Sequence, residues 1–442
     1  MSSTLIESAK ILVGGELTPA NILLEADKIK SISKAKPITH ADTTIHAAGL
    51  IALPGLIDAH VHLRDLELSY KETFETGTQA AVAGGYTTVL DMPNTRPPTI
   101  NATRLKEKIT KAQGRLHSNV GFQGTLTTDA ADVRGMKENG AIALKLYLNK
   151  SLQTFDSSDL NNLTIAFRAA KESNALVTVH AEDANTISRI QQDRLNEGKT
   201  CVQDFLEAHS PQAESLSVRT VVGLSRQMEA RVHFCHITLP ESVRLIRTLP
   251  NASCEATAHH LLLNHQAFRR FGTLAICVPP IRIEAIREGL WKEFVTGGVD
   301  ILASDHAPHT IEEKKQKNAW NAASGIPGLE TSLPLMMTQV SKGKLSLQRL
   351  VEAASEFPAR IFHLNRKGVL REGFDADIVL VDPKAKVTVN PTKFLTMAKY
   401  TPFKGMKCVG AAAYTFVNGT LAAERGRIVG PPAGRVIKSG SE

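Results

Sequence analysis

A repeated alternation of short apolar runs with longer amphipathic stretches is the feature that most constrains the fold of this chain. From about residue 56 to residue 360, each run of strand length is followed by a stretch of helical period. Strands that are apolar along their whole length are typical of parallel sheets covered by helices. Eight such runs occur: Gly55–His60, Thr87–Asp91, Val120–Phe122, Ile142–Leu146, Leu176–His180, Arg231–Cys235, Ala252–Ala256 and Asp300–Ala303.

Eight strand-and-helix units in about 300 residues predict an α/β fold, a (β/α)8 TIM-type barrel. Short β-type runs also open the chain and return in residues 377–429. Each end is too short to form a domain alone, so we expect both termini to build one small β-rich composite domain. The predicted division is residues 1–53 and 366–442 for the composite β module and 54–365 for the barrel.

Composition excludes several classes of protein. The chain is 42% hydrophobic and 22% charged, as is usual for globular domains, and no run of 18 apolar residues predicts a membrane span. The first ten residues lack the pattern of a secretory signal. Five scattered cysteines, without a C-x-x-C pair, argue against a disulfide framework and a zinc ribbon. We therefore expect a cytoplasmic protein with reduced thiols.

The net charge of +8 is concentrated near the C-terminus, where residues 366–442 hold 13 Lys and Arg against 6 Asp and Glu. This region could face an acidic partner, but a solvated surface is the more common explanation. No Arg-rich helix or aromatic-interleaved basic strand accompanies it, so we expect no nucleic-acid binding.

Histidine and aspartate residues follow the ends of several predicted strands. His60 and His62 alternate on the first strand, so their side chains lie on the same face. His180 ends the fifth strand, and His236 and Asp305 follow the sixth and the eighth. An H-x-H pair alone also fits a polar strand end. Because active sites of such barrels lie at the C-terminal ends of the strands, the combination predicts a site for zinc or a similar ion.

Lys145 lies at the end of the apolar fourth strand, where burying an ammonium group is costly. One explanation is an ion pair or a side chain that reaches water. Another is reaction with carbon dioxide to a carbamate, which reverses the charge and supplies two oxygen ligands. The sequence leaves both open.

Several segments resemble the dihydroorotases of the amidohydrolase superfamily, including the dihydroorotase domain of the animal multifunctional pyrimidine protein. The likeness covers almost the whole barrel, and residues 373–379 and 417–419 resemble the superfamily's composite β module. The segments that carry it are Pro54–Arg64, Asp91–Thr95, Lys145–Asn149, His180–Glu182, Cys235–His236, Cys254–Glu255, Ser304–His309 and Gly325–Thr331.

The resemblance implies a binuclear zinc site that hydrolyses (S)-dihydroorotate reversibly to N-carbamoyl-L-aspartate, the third step of pyrimidine synthesis. It places His60, His62 and Asp305 on one ion and His180 and His236 on the other, with carboxylated Lys145 between them. Cys235 and Glu255 match positions of additional ligands, so the resemblance leaves open whether a third zinc ion is bound. A buried thiol and a strand-end carboxylate explain these two equally well.

The resemblance also implies the substrate contacts. Arg64 continues the alternation of His62, and its planar guanidinium suits a carboxylate, although a surface salt bridge is the simpler explanation. Asn94 and His309 are implied to hold the carboxylate or the ring together with Arg64, and the Ser324–Gly325 loop is implied to add a backbone contact. Asp305 is the candidate that moves a proton from the attacking water to the leaving nitrogen. The implied assembly is a homodimer, and association with aspartate transcarbamoylase stays open.

Two positions depart from the family pattern. Leu66 stands where the family usually has proline soon after the Arg-Asp pair, and Val278 stands where relatives place a polar substrate contact. Val278 therefore supports the alternatives of a dihydropyrimidinase, hydantoinase or allantoinase. A further alternative is an inactive homologue that scaffolds the transcarbamoylase. Residues 149–155 resemble a lid loop and equally fit a plain surface loop.

Overall fold

The computed structural model describes residues 2–35, 41–149 and 154–440, which excludes most of the predicted lid loop. Within these ranges the central element is a ring of parallel strands at eight positions, as predicted. In order, the barrel strands are Leu56–Val61, Tyr86–Asp91, Asn119–Phe122 continued by Gly124–Thr125, Leu144–Tyr147, Val177–His180, Val232–Phe234, Ala252–Thr257 and Ile301–Ala303.

The barrel closes between its first and eighth strands. Val61 bridges His306 in the parallel sense, and the His62 amide donates to the His306 carbonyl at 2.8 Å. Closure therefore uses the same segments that carry His62 and Asp305. The first and last predicted ligand positions become neighbours although more than 240 residues separate them.

Helices surround this ring because one face of each carries the apolar residues. The helix residues Phe167 and Phe294, for example, belong to the same buried core as the strand residues Val177 and Leu302. The α-helices are Phe74–Ala83, Ala102–Ala112, Ala130–Glu138, Leu160–Glu172, Ala184–Asn196, Val202–Ala208, Pro211–Met228, Pro240–Ile246, Ala258–Leu262, Gln266–Phe271, Glu284–Val295, Ile311–Lys314, Ser332–Ser341, Leu347–Val351 and Phe357–Ile361. Single turns of other helix types are Leu66–Leu68, Gly272–Ala275, Ala319–Asn321, Glu352–Glu356 and Pro391–Lys393.

A second sheet combines strands from both ends of the chain. Ile51–Pro54 lies at its centre, parallel to the first strand of the chain and antiparallel to Ile378–Thr388. One core cluster accordingly contains Ile6 and Ile22 together with Ile378 and Phe416. The strands of this sheet are Ser3–Val13, Glu16–Glu25, Lys28–Ser33, Thr43–His46, Ile51–Pro54, Ile378–Thr388, Lys407–Val417, Thr420–Glu424 and Arg427–Ile428.

The C-terminal segment divides its contacts between the two sheets. Val436–Ile437 pairs with the third barrel strand and not with the flanking sheet. Tyr400, which precedes the Lys407–Val417 strand, donates its hydroxyl to the Gly325 carbonyl at 3.1 Å. The domain division at residues 53/54 and 365/366 stays a prediction.

No helix among the described residues is both long and apolar enough to cross a lipid bilayer.

Candidate active site

The exits of the barrel strands surround a cavity of about 120 Å³. A larger crevice of about 550 Å³ lies beside the flanking sheet, but it contains none of the predicted site residues. The smaller cavity therefore carries the candidate chemistry. Its lining residues are His60, His62, Arg64, Asn94, Tyr147, Asn149, His180, His236, Val278, Asp305, Ala307, Ser324 and Gly325.

His60 and His62 converge on one carboxylate oxygen. Their Nε2 atoms lie 3.4 and 3.2 Å from Asp305 Oδ1. The opposite nitrogens are already held, since His60 Nδ1 lies 2.5 Å from Glu255 Oε1 and His62 Nδ1 lies 2.6 Å from Asn94 Oδ1. Burial and the neighbouring Arg64 keep the pKa of His62 well below its usual value, so this ring is neutral. A neutral imidazole with one anchored nitrogen presents the other as a metal ligand.

His180 and His236 form a second pair. His180 Nδ1 lies 3.2 Å from His236 Nε2, while His180 Nε2 contacts Glu182 at 2.7 Å. Glu182 is fully buried and also contacts His209 Nδ1 at 3.0 Å. Burial alone would raise the pKa of Glu182. The two histidine partners lower this pKa by a larger amount, so the net shift is downward. Glu182 therefore orients His180 with its Nδ1 toward His236.

Lys145 does not line the cavity, but it lies beside the candidate metal ligands that do. Its Nζ donates to Cys235 Sγ at 2.9 Å, and both side chains are buried. Burial raises the pKa of Cys235 to about 12, so its thiol is a weak acceptor for an ammonium group. Glu255 uses its second oxygen on His233 Nε2 at 3.0 Å. One ligand atom each of His60, Cys235 and Glu255 lie within 4.8 Å of one another.

Arg64 enters the cavity without a carboxylate partner. It is 7% exposed, its Nε donates to the Pro308 carbonyl at 3.3 Å, and one terminal nitrogen lies 3.1 Å from His309 Nε2. Within residues 2–35, 41–149 and 154–440, no Asp or Glu oxygen is found within 4.0 Å of its guanidinium. A buried guanidinium in this state favours an anion from outside the chain.

His309 lies behind Arg64 and does not line the cavity. Its Nε2 contacts the Ser324 carbonyl at 3.1 Å, and its Nδ1 lies 3.3 Å from both Lys71 Nζ and Glu313 Oε2. Burial and the cations Arg64 and Lys71 lower its pKa. In this arrangement His309 holds Arg64 and the Ser324 loop in place.

The Ser324–Gly325 loop is fixed by a buried ammonium group. Lys314 Nζ donates to the carbonyls of Ile276, Ala323 and Gly325 at 2.7, 2.8 and 3.0 Å. A Cβ at Gly325 would lie 2.4 Å from the Ala307 carbonyl oxygen, so only glycine permits this approach. The loop thus presents its backbone to the cavity.

Sequence reasoning assigned no role to two carboxylates of the site. Asp58 is fully buried and accepts from the His60 and Ser304 amides, both at 3.1 Å, which ties the first strand to the eighth. Burial raises its pKa to about 7. Its position two residues before His60, on the same face of the strand, was a usable signal. Glu182 lay inside a recognised segment, but its contact with His209 depends on the fold.

Comparison with known proteins gives a family match over most of the chain. The model of the "Amidohydrolase family" matches residues 51–422. A dihydroorotase of Methanothermobacter thermautotrophicus is 37% identical over 92% of each chain. An L-hydantoinase of Paenarthrobacter aurescens is 31% identical over 97% of this chain and 96% of its own. The solved L-hydantoinase (dihydropyrimidinase) from Arthrobacter aurescens has a TM-score of 0.95 at 30% identity and covers 99% of this chain and 100% of its own.

Proposed function

The chain belongs to the amidohydrolase family and is a cyclic amidohydrolase, and on that premise we propose that it is a dihydroorotase. The proposed reaction is reversible hydrolysis of (S)-dihydroorotate to N-carbamoyl-L-aspartate. The observation that carries the proposal is the buried guanidinium of Arg64, which lines the same cavity as His60, His62 and Asp305. A dihydroorotate ring would bring the missing carboxylate to this guanidinium and its cyclic amide to the histidines.

The donor set fits two divalent ions such as zinc. The cavity gathers four imidazoles and one carboxylate, and His236 Nδ1 is buried without a hydrogen-bond partner among the described residues. We assign His60, His62 and Asp305 to one ion, and His180 and His236 to the other. When bound there, such a pair lowers the pKa of an attacking water and polarises the amide carbonyl.

Lys145 is proposed to react with carbon dioxide to form a carbamate, whose oxygens would be available as ligands for both ions. An unmodified ammonium group at this fully buried position donates to Cys235 Sγ, and its charge acts on His60, His236 and Asp305. Conversion to a carbamate removes this buried positive charge and provides two oxygen ligands. Cys235 and Glu255 remain a proposed addition to the set, although Glu255 already orients His60 and His233.

The remaining groups bind the substrate and move the proton. Asp305 is proposed to accept the proton of the attacking water and to deliver it to the leaving ring nitrogen. Burial raises the pKa of Asp305, which makes its carboxylate a better proton acceptor. Asn94 uses its oxygen on His62, so its amide nitrogen is the group available to the ring. The Ser324–Gly325 backbone is proposed to contact the ring from the opposite wall.

Hydantoin or dihydropyrimidine hydrolysis is the second candidate. Val278 lines the cavity and offers the substrate no hydrogen bond. The likeness to an L-hydantoinase at 31% identity supports the same alternative. Neutral rings of this class carry no carboxylate for Arg64, so the two candidates make opposite predictions for this residue.

Replacement of Arg64 by methionine tests the proposal. Because one partner of a buried charge pair is lost, we expect kcat/KM for dihydroorotate to fall by about 30- to 4,000-fold. Dihydrouracil, which is the same ring without the carboxylate, should be affected far less. Arg96→Met removes an exposed cation two residues beyond Asn94 and serves as the matched control. An equal loss for both substrates would contradict the proposal.

Several finer features of the proposal do not follow from the contacts in the cavity. A cytoplasmic location, a role in pyrimidine synthesis, a homodimer and association with aspartate transcarbamoylase all stay predictions. The alternative of an inactive scaffold has less support, because the complete set of candidate ligands lies at the strand exits.

A further inference from the structure

Three more side chains with metal-binding atoms form a buried cluster outside the ligand set described above. His259 and His260 lie in the helix Ala258–Leu262 after the seventh barrel strand, and Cys277 directly precedes Val278. Each offers one ligand atom, and these atoms all lie within 4.8 Å of one another. The three residues are 1–3% exposed. We propose that His259, His260 and Cys277 bind one soft monovalent metal ion of the Cu⁺ class.

The spacing suits an ion bound by three ligands. Cys277 Sγ lies 3.9 Å from His260 Nε2, and the ring centroids of His259 and His260 are 4.3 Å apart. With metal–nitrogen and metal–sulfur bonds of about 2.0 and 2.3 Å, a trigonal ion separates sulfur from nitrogen by about 3.7 Å. The separation of Cys277 from His260 therefore fits such an ion, and His259 offers the third ligand atom within 4.8 Å of both.

The hydrogen bonds leave one ligand atom without a partner. His259 Nε2 is buried and has no hydrogen-bond partner among the described residues, which is unusual for a native polar group. His260 Nδ1 contacts the Thr257 hydroxyl at 2.9 Å, and its Nε2 lies 2.9 Å from the Pro279 carbonyl. The Cys277 thiol donates to the same carbonyl at 3.3 Å.

Ion binding requires a simple proton balance. The Cys277 S–H bond breaks, the sulfur–metal bond forms, and the thiol proton leaves to solvent. The His260 ring proton moves from Nε2 to Nδ1, and the Thr257 hydroxyl oxygen then accepts a hydrogen bond from the Nδ1–H group. Burial raises the pKa of Cys277 to about 12, so only an ion with high affinity for thiolate displaces this proton.

The local charge favours a monovalent ion over Zn²⁺. The Lys314 ammonium group donates to the carbonyl of Ile276, the residue before Cys277. A thiolate and a monovalent ion form a neutral unit, whereas Zn²⁺ would add a net positive charge where burial already lowers the pKa of Lys314 to about 7. A thiolate is also a ligand that selects Cu⁺. The bound ion would hold the segment that carries Val278 against the exit of the seventh strand.

Copper transfer under anaerobic conditions tests this site. The full-length protein is first loaded with zinc and then titrated with Cu⁺ held by a coloured chelator of known affinity. We expect one tightly bound copper with one sulfur neighbour in X-ray absorption spectra. Cys277→Val should lower the Cu⁺ affinity at least about a hundredfold. This loss exceeds the one that follows removal of a group that only hydrogen-bonds to a metal ligand. His259→Gln should lower it at least about tenfold.

Two control variants separate this cluster from the other thiols. Cys254→Val removes an equally buried thiol in the seventh strand, and Cys235→Val removes the thiol beside Lys145. Both should keep the copper. Circular dichroism reports the fold of every variant, and zinc content is a second report for the Cys277, His259 and Cys254 variants. Three results would overturn the proposal: copper retained by Cys277→Val, copper lost in Cys235→Val, or no copper taken from the chelator by the wild-type protein.

Discussion

The buried ion pair between Lys108 and Asp91 allows a quantitative prediction of how much its loss lowers the melting temperature. Both residues are fully buried, and Lys108 Nζ lies 2.6 Å from Asp91 Oδ2. Lys108 also donates to the Met92 carbonyl at 2.9 Å, and Asp91 accepts from the Leu63 amide at 2.7 Å. Lys108→Met keeps the apolar stem of the side chain but leaves the carboxylate without its cation. Burial raises the pKa of Asp91, which shows that its charge is already costly there.

The loss of one partner from a buried pair costs about 3–5 kcal/mol. With an unfolding entropy of about 2.1 cal/mol/K per residue, a chain of 442 residues has about 0.9 kcal/mol/K in total. We therefore expect Lys108→Met to lower the Tm by about 3–5 °C in scanning calorimetry, with metal content and scan rate held constant. Lys111→Met, on the exposed face of the same helix, should change the Tm by less than about 1 °C.

A double variant tests the electrostatic reasoning directly. Lys108→Met combined with Asp91→Asn removes both charges and keeps an acceptor for the Leu63 amide. The double variant should regain most of the Tm that the single variant loses. If it melts no higher than Lys108→Met alone, the loss comes from packing and the electrostatic explanation is refuted.

Three further predictions concern the cavity and its surroundings. Lys314→Met should lower kcat/KM for dihydroorotate at least about tenfold, because hydrogen bonds from a charged donor contribute roughly 1.5–3 kcal/mol. Replacement of its exposed neighbour Lys315 by methionine should leave kcat/KM unchanged. Gly325→Ala should raise the KM in steady-state assays, since the new Cβ meets the Ala307 carbonyl; an unchanged KM would show that the loop adapts. Burial raises the pKa of Glu330 to about 7, so its ionisation costs the folded state stability as the pH rises from about 4.5. The Tm of Glu330→Gln relative to wild type should therefore increase from pH 5 to pH 8, and a constant difference would be evidence against this ionisation.

The barrel was predictable because its strands are apolar along their length. All eight predicted runs overlap a barrel strand, and the observed ends coincide with the predicted ones or differ by up to three residues. In the flanking sheet, the strand Ser3–Val13 continues through charged residues such as Lys10, because backbone pairing with Glu16–Glu25 holds it together. Pairing of Val436–Ile437 with the third barrel strand left no local signal, because two residues carry no period.

The cavity residues were predictable for a related reason. A side chain at the C-terminal end of any barrel strand lies at the barrel mouth. For His60, His180 and Asp305, the position at a strand end was therefore enough to predict that they line the cavity. Contacts between distant segments were not accessible in this way. The three carbonyls around Lys314 and the partners of Glu182 depend on how loops pack. His309 shows the same limit, because it supports Arg64 and does not line the cavity.

The preference of the wild-type enzyme for a carboxylated ring tests the central proposal most directly. Dihydroorotate and dihydrouracil differ only by the carboxylate that Arg64 is proposed to bind, so the ratio of their kcat/KM values isolates this contact. With the zinc-loaded protein, we expect dihydroorotate to be favoured by at least about 30-fold, the lower value for a buried charge pair. Equal values, or faster hydrolysis of dihydrouracil, would contradict the proposal and assign the enzyme to neutral cyclic amides.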